Sequence, residues 1–331
     1  MLSRTIILTA TDVRSVLDMP ACIDAVEVAF RMLGEGTAAR PVVSSVRALA
    51  GGFHIKSALF ARREAEYFVS KTNANYPANS SKHGLPTIQG TLVVHDATNG
   101  VPLAVIDSIE ITAMRTAAAT AVAAKYLAPA NSETLAIVGC GLQGLQHVRA
   151  LSAPRRFRRV SLFDVVDSSS RALAQRIERE FGLSATIAPT IADAVRGVDI
   201  IVTCTTSTDF LLGSELVAPG AFIAGVGVDA EHKKELSPEL LGRSRVVVDV
   251  LEQCTAFGDL HNAIAHGAME ASDVHAELGA IVAGTRIGRT SNDQTFVFDS
   301  TGMALQDAAA AVLVVERARA AGCGVQVQFS A

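Results

Sequence analysis

The sequence predicts an α/β protein: a Rossmann-type doubly wound domain with a second, discontinuous α+β domain. Three observations predict it. From Leu135 onward, apolar β-branched runs alternate with helical stretches, the pattern of parallel strands buried on both faces. A glycine-rich turn, Gly139-Cys140-Gly141-Leu142-Gln143-Gly144, follows the first of those strands and opens a helix. Before it, residues 42–105 are short β-rich runs punctuated by Gly, Asn and Pro, the texture of an antiparallel or mixed sheet.

Each element has a local reason. Residues 10–36 read as one helix, with Val13, Val16, Leu17, Ile23, Val26, Ala29, Phe30 and Leu33 at helical spacing and Gly34 and Gly36 as its stop. VVSSV, FHIKSALF, EYFVSKTN, PTIQGTLVVHD and PLAVID read as strands, with DATNG at 96–100 as a hairpin turn. Residues 111–127 are Ala-dominated and strongly helix-forming. TLAIVG, RVSLFD, VDIIVTCT, FIAGVGVD and RVVVDV are the parallel strands. Residues 303–323 form a long Ala/Val helix expected to pack back on the first domain. The boundaries are therefore 1–130 with 302–331 for one domain and 131–301 for the other.

Composition excludes several classes of function. Of 331 residues, 49% are hydrophobic and 19% charged, which supplies a large core and excludes disorder. The net charge of −4, without runs of like charge, gives no basic face for nucleic acid or a membrane surface. Five dispersed cysteines argue for a reducing compartment, and no stretch has the length or flanks of a membrane span or signal peptide. The expected location is the cytoplasm.

The glycine turn carries the first chemistry. Gly139 permits the tight turn, Gly141 lets a pyrophosphate approach the backbone, and Gly144 lets helix and strand pack closely. The helix start offers N–H groups and partial positive charge to phosphates. Asp164 ends the next strand, 23 positions after Gly141, where a carboxylate accepts from ribose hydroxyls. Its charge repels a 2′-phosphate, and Val165, Val166 and Asp167 bring no Arg to receive one, so NAD is favoured over NADP.

Other patterns divide into those to discard and those to keep. His275-Ala276-Glu277 lacks a following PCxxC, His261 and His266 lack HExxH spacing, and no GxSxG is present; no metal site or hydrolase triad is expected. Asp229 follows a strand end on the side where doubly wound sheets bind ligands. Lys71 sits within a strand-like run, where a charge is costly unless it meets a ligand or partner. Arg115 interrupts the Ala-rich helix. Together, Arg40, Lys71 and Arg115 suit a substrate with a carboxylate.

The segments KTNANYPANSSKHGLPTIQGTLVVHD, ITAMRTAAATAVAAKYLA, IVGCGLQG, FIAGVGVDAEHKKEL and FDSTGMALQDAAAA, in that order, resemble the ornithine cyclodeaminase/mu-crystallin family across nearly the whole chain. The resemblance implies a homodimer formed through a sheet domain built from both chain ends, which also binds substrate. It implies Asp229 and Lys71 as catalytic residues. Arg40, Lys71 and Arg115 match positions that hold the substrate carboxylate. Thr87, Arg115, Gly139, Gly141, Leu142, Gln143, Gly144, Asp164, Thr205, Val226, Gly227, Val228, Lys233 and Ser300 match cofactor-binding positions.

The reaction implied is hydride transfer between nicotinamide and the α-carbon of a small amino or imino acid, as in cyclic ketimine reductases and alanine dehydrogenases. Two alternatives stand beside it: cyclisation of ornithine to proline with catalytic NAD, and a non-catalytic ligand-binding role like that of mu-crystallins. The sequence departs from the cyclodeaminase pattern twice. DAEHK at 229–233 replaces DxPGK, and residues 42–59 contain no Asp or Glu to hold a distal amine, carrying His54 and Lys56 instead. An unpartnered distal ammonium costs binding. A reductase or dehydrogenase therefore leads.

Overall fold

The computed structural model describes residues 4–329. Two compact units compose the chain: Met1–Arg115 with Met303–Ala331, and Thr116–Gly302. The division falls inside the helix Ser108–Leu127, upstream of the 130/131 boundary expected from sequence.

The strands in chain order are β1 (Thr5–Leu8), β2 (Val42–Ala48), β3 (Gly51–Arg62), β4 (Ala65–Asn75), β5 (Ile88–Asp96), β6 (Pro102–Asp107), β7 (Thr134–Val138), β8 (Arg159–Phe163), β9 (Ala185–Ile187), β10 (Ile200–Thr203), β11 (Phe222–Gly225), β12 (Arg245–Val248), β13 (Ala276–Glu277), β14 (Phe296–Asp299) and β15 (Val325–Val327).

In the first unit the sheet order is β15-β1-β6-β5-β4-β3-β2. Pairing is antiparallel except between β1 and β6. The β4 register sets Lys71 opposite Lys56 on β3 and Leu92 on β5. Paired residues share a face, so Lys71 lies on the face of Val69, Leu92, Val94 and Ile106, all buried. The helix Ala304–Ala321 packs on β3 and β4 and ends at Gly322, whose φ of 65° is left-handed.

The single helix expected over 10–36 is two, Ala10–Val16 and Met19–Gly34. Apolar spacing alone does not show the break. Asp18 takes extended backbone and its carboxylate accepts the Ala21 N–H at 2.9 Å, capping the second helix, while Pro20 occupies its first turn.

The second unit holds an eight-stranded parallel sheet, β13-β12-β14-β11-β10-β7-β8-β9. From β7 the chain runs outward to β8 and β9, then returns to β10 and β11 on the other side. The switch between β7 and β10 is where such sheets open a ligand crevice at their carboxyl ends. Strands β10, β11 and β14 are buried throughout, as their unbroken apolar runs require.

Candidate active site

In the second unit, the turn after β7 has the shape that its glycines dictate. Gly139 has φ of 103°, and a Cβ there would lie 2.7 Å from the Cys204 carbonyl oxygen. At Gly144 a Cβ would lie 2.4 Å from the Gly139 carbonyl oxygen and 3.1 Å from the Ile137 side chain, so this glycine permits the close helix–strand approach. Gly141 differs: nothing lies within 4 Å of an added Cβ. It is exposed and opens the helix Leu142–Ser152, whose first amides no capping side chain takes. This open cradle of amides fits a pyrophosphate.

Asp164, half-buried just past β8, holds the turn in shape. Its Oδ2 accepts the Cys140 N–H at 2.7 Å and its Oδ1 accepts the Val166 N–H at 2.8 Å. Each oxygen keeps a lone pair for a ribose hydroxyl. Behind the turn, burial pushes the His147 imidazole down to about 4, so the ring is neutral. The Gln143 carbonyl lies 2.8 Å from its Nδ1, which fixes Nδ1 as the donor, and Nε2 then accepts from the Thr120 hydroxyl at 3.0 Å.

On the other side of the switch point, the segments after β10, β11 and β14 carry Thr205, Val226, Gly227, Val228 and Ser300. Ser300 N–H donates to Gly225 O at 3.0 Å and Val226 N–H to Thr203 O at 2.9 Å, which fixes these segments to one another. Asp229 is exposed, with its side chain 54% accessible, and Lys233 Nζ lies 2.5 Å from its Oδ1. The Lys233 side chain is itself mostly covered, and its carbonyl accepts from Asn262. A mostly covered ammonium thus aims the Asp229 carboxylate.

The first unit holds the cations. Lys71 Nζ lies 2.6 Å from Asp307 Oδ2 and 3.4 Å from Thr112 Oγ1. Arg115 donates through Nε to Asp307 Oδ1 at 2.9 Å and through Nη1 to Gln306 Oε1 at 2.9 Å. Lys71, Arg115, Gln306 and Asp307 are all buried. Burial first, then Arg115 and Lys56, push the Lys71 ammonium down to about 7 against the upward pull of Asp307. Burial alone would raise Asp307, but Arg115 and Lys71 outweigh it and hold the carboxyl low. Below about pH 7, where Lys71 holds its proton, two cations therefore face one ionised carboxylate.

Sequence reasoning named Lys71 and Arg115 but not Asp307 or Gln306. A signal existed: Asp307 is the one charge in the run 303–315. Arg40 stands exposed in the segment before β2, unlike the buried pair, and Thr87 is half-buried, its carbonyl accepting the Tyr76 N–H at 2.9 Å. Also unforeseen is a set of buried carboxyls in the second unit: Glu235, Asp249, Asp259 and Asp299. Among the described residues no group of three or more His, Cys, Asp or Glu is placed to hold a metal, and no helix is long and apolar enough to cross a membrane.

Comparison with known proteins gives the family and relatives of the same fold. The profile of the ornithine cyclodeaminase/mu-crystallin family matches residues 3–322. An alanine dehydrogenase of Archaeoglobus fulgidus is 34% identical over 325 residues, 98% of each chain. The solved structure of an archaeal alanine dehydrogenase dimer with bound NAD superposes with a TM-score of 0.94 at 34% identity, covering 99% of this chain and 100% of that one. The Delta(1)-pyrroline-2-carboxylate reductase of Thermococcus litoralis, solved with NADH and L-proline, gives a TM-score of 0.91 at 28% identity, covering 98% and 100%. The chain belongs to the ornithine cyclodeaminase/mu-crystallin family.

Proposed function

We propose that this chain is an NAD(H)-dependent oxidoreductase acting on the C–N bond of a small amino or imino acid, as a ketimine reductase or an amino-acid dehydrogenase. The observation that carries it is the buried group Lys71–Asp307–Arg115, whose excess of one positive charge matches one substrate carboxylate. The relatives support the same reading: they include a dehydrogenase of alanine and a reductase of a cyclic imino acid.

NAD(H), when bound, supplies the hydride donor or acceptor. The turn Gly139–Gly144 and the amides of Leu142 and Gln143 would hold its pyrophosphate, and Asp164 its adenosine ribose. Lys71 and Arg115 take the substrate carboxylate by charge-assisted hydrogen bonds, which fixes the orientation of Cα. Asp229 favours the protonated iminium by its negative charge and relays the proton of the nitrogen. Lys233 holds the Asp229 carboxylate in place.

Ornithine cyclisation fits less well. The strand register sets Lys56 beside Lys71 on one face, so a distal ammonium near that face meets a cation where it needs a carboxylate. A binding-only role leaves the paired Asp229 and the buried cations without a task. The deciding experiment is a panel: NADH oxidation with small 2-oxo acids plus ammonia or methylamine and with cyclic ketimines, against ornithine with NAD. Imine-dependent NADH oxidation is expected; proline from ornithine alone would overturn the reading.

Three expectations follow from the parts. NADH should bind more tightly than NADPH, because Asp164 meets a 2′-phosphate with like charge, and Asp164→Ala should narrow the gap; fluorescence titration giving equal affinities for the wild type would contradict this. Carboxylate binding should weaken as pH rises through about 7, where Lys71 loses its proton. The inhibition constant of propionate, which stays ionised throughout, should rise over that range, and Lys71→Met should remove the pH dependence. A wild-type constant that is flat to pH 9 would count against Lys71 as the carboxylate's partner.

The third concerns assembly. One face of the first unit's sheet exposes Ile7, Val42, Val46, Phe53 and Phe68. Apolar side chains exposed along one sheet face suit a protein contact, and a second copy of this chain, meeting that face through the first unit, would make a homodimer. Light scattering should give twice the 34.6 kDa chain mass; a monomer mass would refute it. The free cysteines, buried or partly buried, suit the cytoplasm.

A further inference from the structure

The buried carboxyl of Glu235 joins two of the segments that follow the parallel strands. Its Oε1 accepts the Thr205 N–H at 2.6 Å and the Thr205 hydroxyl at 2.7 Å; its Oε2 accepts the Thr203 hydroxyl and the Gly227 N–H, each at 2.8 Å. Thr203 and Thr205 lie at and beyond the end of β10, Gly227 beyond the end of β11. The fit at Gly227 is close: a Cβ there would lie 2.5 Å from Oε1. Burial raises this carboxyl, and the four donors around it, two of them fixed amides, oppose that rise by favouring the charged form.

Its neighbours are built differently. Asp259 Oδ1 accepts the Glu235 and Leu236 amides, and Asp299 Oδ2 accepts the Leu260 amide, but Asp259 Oδ2 and Asp299 Oδ1 have no donor. Burial raises Asp259 and Asp299, and the carboxyls around them (Asp299 and Glu235 beside Asp259, Asp249 and Glu235 beside Asp299) raise them further. Burial raises Glu235 too, but of the three only Glu235 has a donor on every side to oppose it, so it is the one built to carry the charge.

The sheet order then gives this charge a role. Asp164, the ribose partner, follows β8 on one side of β7; β10 and β11 lie on the other, the side of the nicotinamide half of a dinucleotide in a doubly wound sheet. We propose that Glu235 is a positioning residue whose buried negative charge, set beneath Thr205 and Gly227, favours the cationic nicotinamide of NAD⁺ over the neutral ring of NADH and so sets the potential of the bound cofactor. The inference rests on the NAD-linked reading above. Oxidised nicotinamide carries one positive charge that reduction removes, so a fixed anion binds the two forms unequally.

The test is the ratio of dissociation constants, Kd(NAD⁺)/Kd(NADH), measured by calorimetry and fluorescence. In Glu235→Gln, which keeps the size and loses the charge, the ratio should rise about tenfold, the scale of one charge at a protein's effective dielectric. That raises the bound-couple potential by about 30 mV, since tenfold is about 30 mV for a two-electron couple. Glu235→Asp should weaken both affinities and leave the ratio within about twofold. Equal weakening of both cofactors in Glu235→Gln would reduce Glu235 to a structural tie and overturn the proposal. Should that variant not fold, the ¹³C resonance of the Glu235 carboxyl in the wild-type NAD⁺ complex decides: an ionised carboxylate upholds the proposal and a protonated acid overturns it. Binding of neither cofactor to the wild type would instead overturn the NAD reading itself, and the proposal with it.

Discussion

Asp307→Asn should be among the most damaging single substitutions in this chain. It keeps the shape of the side chain but leaves Lys71 and Arg115 buried together without their shared counter-charge. Removing one partner of a buried ion pair costs about 3–5 kcal/mol, and urea unfolding at pH 7 should show a loss of that size. The deficit should shrink as pH rises, because a neutral Lys71 needs no counter-ion. kcat/KM should fall at least about tenfold, through misplacement of the two side chains that take the substrate carboxylate. A stability loss under about 1 kcal/mol, typical of an exposed pair, would show that Asp307 does not hold the two cations together.

Asp229→Asn should show the opposite profile. The side chain is half exposed and its ion pair with Lys233 is partly solvated, so stability should change by no more than about 1 kcal/mol. NADH affinity should barely move. Turnover should fall by about 10²–10⁴-fold, the range for a group that assists proton transfer at the reacting centre, because an amide neither favours an iminium nor relays its proton. A turn or capping role predicts the reverse: a loss of about 1 kcal/mol in stability with activity largely kept. A variant with near-normal turnover on the preferred substrate would remove Asp229 from the chemistry.

The contrast between these two residues reflects what a sequence can carry. Local rules made the nucleotide half legible: the strand, the glycine spacing and the acidic end of the next strand lie within 30 residues, and backbone sterics give each glycine one purpose. Lys71 was legible as a charge in an apolar strand, a conflict that requires a partner. Its partner was not, because Asp307 lies more than 200 residues along the chain and only the packing of the helix Ala304–Ala321 on β4 brings them together. Glu235 closes a segment in which sequence reasoning named only Asp229 and Lys233; its four bonds join two strand ends, which no linear spacing shows. The helix break at Leu17–Asp18 was hidden because apolar spacing persists across it, although Asp18 and Pro20 together are a helix-start signal.

The central claim is hydride transfer to the α-carbon of an imino acid whose carboxylate rests on Lys71 and Arg115. Its most direct measurement uses NADH deuterated at C4 with the best imine from the panel, the product being read by NMR. The account predicts one deuterium at Cα of the amino-acid product from one of the two C4-labelled epimers. It also predicts that Lys71→Met suppresses formation of that product while NADH still binds. No NADH oxidation with any carboxylate-bearing imine, or a product with no deuterium at Cα from either epimer, would contradict it.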